Sequence, residues 1–110
     1  MKIESSKGKG RIKIAESTYP YYVLYAEKGR VYFLSPPVAE NFVTRMFSAV
    51  PDREEREKQR DLGSKMRIEY VSEKNRIRIP NEILSNSGLC LEEEIQIIGD
   101  SRCFYVEKTK

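Results

Sequence analysis

The side chains of this chain best suited to chemistry are cations. Lys7, Lys9, Arg11 and Lys13 lie in one short stretch, and Lys74, Arg76 and Arg78 lie in another. Arginine can grip a guanine edge with two parallel hydrogen bonds in the major groove of duplex DNA. Lysine and accessible backbone amides, here those of Gly8 and Gly10, can approach phosphates closely. Concentrated in so few residues, these groups read either as the electrostatic footprint of a polyanion binder or, from charge alone the more ordinary reading, as cations solvating exposed loops. The chain has no histidine, the commonest acid–base catalyst, and neither a phosphate loop nor a paired-carboxylate motif. An enzyme is not expected, nor a cofactor or a small-molecule substrate.

Charge distribution says more than total charge. The 110 residues sum to +3, but residues 1–14 carry +4 and residues 72–78 carry +2, leaving −3 for the remainder. Hydrophobic residues make up 39 %, too many for a disordered chain. No apolar run approaches the roughly 20 residues of a membrane helix. Met1-Lys2-Ile3-Glu4 opens without the apolar stretch of a signal peptide. A cytoplasmic location and no membrane partner are expected. Cys90 and Cys103 sit among apolar neighbours and read as reduced, partly buried thiols. Two cysteines without histidine do not make an ordinary zinc site.

The elements that must position the cations come from an internal repeat. Met66-Arg67-Ile68-Glu69 repeats Met1-Lys2-Ile3-Glu4, and Lys74-Asn75-Arg76-Ile77-Arg78-Ile79 repeats Lys9-Gly10-Arg11-Ile12-Lys13-Ile14, without a gap. Isoleucine alternates with Lys13 and Arg78, so a strand here puts apolar residues on one face and cations on the other. Further on, residues 23–34 align with residues 95–106, each an apolar strand, a polar turn with glycine and a second apolar strand. The second repeat holds seven extra residues between these parts, within Pro80–Leu89, where Pro80 suits a helix start and Gly88 a helix end. Ala15-Glu16-Ser17-Thr18-Tyr19-Pro20 is too short for an equivalent helix.

Between the repeats a helical connector is expected. Ser35-Pro36-Pro37 is a helix start, and Val38, Phe42, Val43, Met46, Phe47 and Val50 recur at helical spacing as a core-packing stripe. After Pro51, Asp52 with Glu55 resembles a capping box, and a charge-balanced solvated helix should follow and end at Gly63. The expected organisation is a β-rich half at 1–34, a helical connector at 35–65 and a second half at 66–110, in one compact domain. Tyr19, Tyr21, Tyr22 and Tyr25 could stack bases, but tyrosines along a strand read first as sheet packing.

Arg76-Ile77-Arg78-Ile79-Pro80-Asn81-Glu82-Ile83-Leu84, then Gly88-Leu89, then Ile95-Gln96-Ile97-Ile98-Gly99 resembles the second half of the MraZ family of AbrB-type transcription factors. Lys9-Gly10-Arg11-Ile12-Lys13-Ile14 is similar to the Lys-Gly-Arg loop of that family's first half, and the tandem layout extends the resemblance over nearly the whole chain. Lys7 stands where the family has Asp, Ser72 and Asn75 replace Asp and Gly in the second repeat, and Ala15 replaces a Pro. The resemblance implies an α+β, mainly β fold: two tandem swapped-hairpin halves forming one pseudo-symmetric, barrel-like domain with a helical connector. It also implies a nucleoid-associated homo-oligomer, closed into a ring in the family's manner, that binds short direct repeats of double-stranded DNA near division and cell-wall genes. Lys9 and Arg11 would be primary contacts and Lys74 and Arg76 secondary ones, beside Lys7, Lys13 and Arg78. The alternative is a protein–protein module on the same fold, antitoxin-like or scaffolding, whose loops meet an acidic protein surface.

Overall fold

A computed structural model describes residues 1–15, 19–46 and 52–109. The chain is α+β and mainly β, with two antiparallel sheets. Strands β1 (Glu4–Ser6), β2 (Lys9–Lys13) and β6 (Arg76–Ile79) form the smaller sheet in the order β1-β2-β6. Strands β3 (Tyr21–Glu27), β4 (Arg30–Leu34), β5 (Met66–Tyr70), β7 (Ile95–Gly99) and β8 (Cys103–Lys108) form the larger, in the order β5-β3-β4-β8-β7. Helices α1 (Pro36–Met46) and α2 (Arg53–Lys65) lie between the repeats, and α3 (Asn81–Ser87) follows β6.

Alternation along the strands puts isoleucine inside. Ile12, Ile14, Ile77 and Ile79 are buried, with Lys13 and Arg78 exposed between them. The core they enter also holds Ile3, Tyr22, Leu24, Val31, Phe33, Ile83 and Val106. The hairpins expected at 23–34 and 95–106 form as β3–β4 and β7–β8. The helix expected after Pro80 forms as α3, and Gly88 ends it in the left-handed region, with φ 79° and its N–H on the Leu84 carbonyl.

The pairing of strands has an internal twofold character. In the β2–β6 ladder Ile12 faces Ile77, its own counterpart in the repeat, while Arg11 faces Arg78 and Lys13 faces Arg76. Exchanging the repeats turns the Arg11–Arg78 pair into Arg76–Lys13, so the ladder maps onto itself. The β4–β8 ladder does the same, because Tyr32 faces Tyr105 and Phe33 faces Phe104. The opening segments of the repeats cross over. Residues 66–70 pair with β3 of the first repeat, and residues 1–3 bond to residues 92–95 of the second. Among the described residues the two sheets meet at single bridges, Lys2 with Glu94 and Val71 with Ile77, and do not close into a continuous barrel.

The connector agrees with its expectation in part. Asp52 caps α2 by accepting the Glu55 N–H at 2.9 Å, and Glu54 pairs with Lys58 at 3.5 Å. The helix does not stop at Gly63; it continues to Lys65 and runs directly into β5. A single glycine in an exposed helix costs about 1 kcal/mol, which flanking turns tolerate. Val38 of the apolar stripe is half-buried, while Phe47 and Val50 and the side chains of Phe42, Val43 and Met46 lie outside the described residues. The tyrosines pack on sheets: Tyr22 is buried against Phe104 with its hydroxyl donating to the Ser101 carbonyl, and Tyr25, Tyr32 and Tyr105 stand in a cross-strand row. Both cysteines are free. Cys103 is half-buried, and burial pushes its thiol pKa up, whereas Cys90 is exposed, not partly buried as its apolar neighbours suggested. Cys90 follows α3 in the turn that returns the chain to β7.

Candidate nucleic-acid interface

The β2–β6 ladder organises the seven cations into one track. Two turns stand at opposite ends of it. Lys7 and Gly8 close the β1–β2 hairpin as a two-residue turn, both with positive φ, 54° and 77°. That backbone matches the twist of a tight hairpin, and glycine adopts it freely. Lys9 opens β2 and is exposed. Next come the facing residues Arg11 and Arg78, then Lys13 and Arg76. Lys74 occupies the turn before β6 and is exposed. From Lys9 to Lys13 the strand advances about 13 Å at its ordinary rise per residue.

Like charges directly opposite one another weaken a sheet. This ladder carries two such pairs side by side. Among the described residues, Lys7, Lys9, Arg11, Lys13, Lys74 and Arg78 make no ion pair. Arg11 has a further unsatisfied group: its Nε is buried and has no hydrogen-bond partner. An uncompensated donor of this kind costs stability.

One carboxylate enters the cationic face, and sequence reasoning missed its role. Glu4 on β1 faces Arg11 in register, but its carboxylate accepts from Arg76 Nε at 2.9 Å. The Arg76 guanidinium holds the Glu4 carboxyl below its usual pKa, with smaller help from Arg11 and Lys13. The repeat itself held the signal, since Glu4 recurs as Glu69. Glu69 behaves differently, because burial pushes its carboxyl pKa up against the pull of Arg78.

The two expected glycine amides also part ways. Gly8 sits in the exposed turn. Gly10 is buried in the middle of the sheet between Ser5 and Ile79, and a Cβ there would lie 3.0 Å from Leu84 Cδ1 and 3.1 Å from Leu91 Cδ2. Gly10 therefore admits the α3 region against the strand and is not offered to phosphate. Lys9 and Lys74, equivalent in the repeat, occupy different places: one is in a strand, the other in a turn.

Compared with known proteins, the chain matches no family model and no curated sequence. Among the described residues, no group of three or more acidic, cysteine or histidine side chains could hold a metal, and no helix is long and apolar enough to cross a membrane.

Proposed function

We propose that this protein binds double-stranded DNA through the β2–β6 ribbon and acts as a sequence-specific transcriptional regulator, assembled as a homo-oligomer on the nucleoid. The observation that carries this reading is that like-charged residues face one another across one ladder, Arg11 opposite Arg78 and Lys13 opposite Arg76, on the face turned away from the buried isoleucines. Like charges facing one another weaken a sheet, and a polyanion would relieve their repulsion. A two-stranded antiparallel ribbon has the dimensions to enter the major groove, and here β2–β6 is the edge pair of the three-stranded sheet β1-β2-β6. Lys7, Lys9 and Lys74 extend the track and meet phosphates, which position the ribbon without reading sequence.

The likeness to the MraZ family gives the finer reading. The crossing of residues 66–70 and 1–3 onto the other repeat supports a swapped-hairpin pair of halves. Ile68 and Tyr70 expose apolar surface at 58 % and 71 % on β5, which favours self-association. One chain offers few cations, so several subunits acting on spaced direct repeats would bind together far more tightly than one alone.

The test is a fluorescence-anisotropy titration against repeat-containing and scrambled duplexes. Arg11→Ala should weaken the repeat duplex by about 1–3 kcal/mol. Lys9→Ala should weaken both duplexes alike, and Lys58→Ala on α2 should change neither. Equal binding by all variants would remove the ribbon from DNA recognition. A protein–protein module would then be the better reading of the fold.

A further inference from the structure

The β2–β6 ladder carries more than charge. Its register is centred on Ile12 facing Ile77, and the rotation that exchanges these two residues also exchanges Arg11 with Arg76 and Lys13 with Arg78. Both isoleucines are fully buried, which fixes the centre of the ribbon against the core. Duplex DNA has local twofold axes of its own, perpendicular to the helix and passing through the major groove. A twofold ribbon seated on such an axis presents the same side chains to both halves of the site.

We infer that a single chain reads an inverted repeat, with the Ile12–Ile77 pair over its dyad and Arg11 and Arg76 reading equivalent bases in the two arms. The inference rests on the DNA-binding reading above and adds the symmetry of the element that each subunit recognises. Where subunits act on direct repeats, every repeat unit then contains its own short dyad. Arg11 and Lys13 are two residues apart on one strand, about 6.6 Å, which matches about two base-pair steps of B-form DNA. The inverted element is therefore short, and its arms lie close to the dyad.

The twofold is confined to the β2–β6 register: β1 flanks β2, whereas β5 meets β6 at one bridge, and the cations have different partners. Glu4 bonds to Arg76, whereas Arg11, although it faces Glu4 in register, makes no ion pair among the described residues. The guanidinium that must share itself with a carboxylate discriminates less. The arm under Arg11 is thus the stricter one, and the arm under Arg76 the more permissive.

Selection of duplexes from a randomised library, followed by anisotropy on the winners, tests this with the full chain. The parent protein should enrich an imperfect inverted repeat and bind it with one chain per element. Placing the same two arms in tandem orientation should weaken binding on the order of tenfold. Arg11→Lys keeps the charge but loses the bidentate grip. It should relax one arm, and Arg76→Lys should relax the other by a smaller factor. Glu4→Gln should tighten discrimination in the Arg76 arm. Enriched sites without internal inverted symmetry would overturn the inference while leaving DNA binding intact. So would relaxation of the same arm by both lysine variants. Retention of no duplex at all would overturn the DNA-binding reading itself.

Discussion

The two hairpin turns of the repeat start from closely related residues and reach different geometries. In the first repeat, Lys7 and Gly8 both take positive φ, and Ser6 faces Lys9 across a two-residue turn. In the second, Ser72 and Glu73 stand at those places, and the only positive φ falls on Asn75, at 57°. There the Asn75 N–H donates to the Ser72 carbonyl, the Ser72 N–H to the Arg76 carbonyl, and the Arg76 N–H to Ser72 Oγ at 3.1 Å. This is the three-residue loop in which a left-handed residue follows an ordinary turn. Glycine makes the tight turn accessible in one repeat, and its replacement by glutamate moves the left-handed residue to asparagine in the other. The registers consequently differ: β1 stays paired with β2, while β5 meets β6 at one bridge and pairs along its length with β3. Similar sequences can thus share a strand face while placing their loop cations differently.

The largest expected effects fall where the two repeats are equivalent. Ile12→Ala and Ile77→Ala remove facing, fully buried side chains and should each cost about 2–5 kcal/mol in urea unfolding. A large effect in only one of them would show that the ribbon centre is not shared. The next effect separates the repeats. Gly10→Ala puts a methyl against Leu84, Leu91 and Ile3 and should cost about 1–3 kcal/mol, whereas Asn75→Ala, at the equivalent place, acts only through its left-handed backbone and should cost about 1 kcal/mol. Thermal melts of the pair would show the order.

The smallest effect concerns Glu4. Its pKa is lowered in the folded chain, so its pairing with Arg76 stabilises above the ordinary carboxylate pKa and is lost as pH falls through the folded value. Melting temperatures compared at about pH 7 and about pH 3 should fall less for Glu4→Gln than for the parent. An equal fall would mean that the ion pair contributes nothing to the acid response.

Period-two alternation makes much of the ribbon legible in the amino-acid sequence alone. Ile12, Ile14, Ile77 and Ile79 have to share one face, and the cations between them the other. The helix after Pro80 is legible because Pro80 and Gly88 mark its ends by backbone geometry alone. What alternation does not encode is which strand lies beside which. The pairing of β2 with β6 is a long-range choice, and it alone sets Arg11 against Arg78. Gly10 misleads for a related reason: glycine suits both a phosphate loop and a close strand–helix approach, and only the position of Leu84 separates the two. The continuation of α2 through Gly63 shows a local stop signal overridden by its flanking turns.

The salt dependence of DNA binding tests the central claim most directly. Each phosphate contact neutralised by a cation adds about −0.9 to the slope of log affinity against log salt. If the ribbon is the interface, Lys9→Ala combined with Lys74→Ala should flatten the parent's slope by about two contacts' worth, while Lys28→Ala with Lys58→Ala leaves it unchanged. A slope that is the same in the parent and in the ribbon double variant would contradict the assignment of DNA binding to this face.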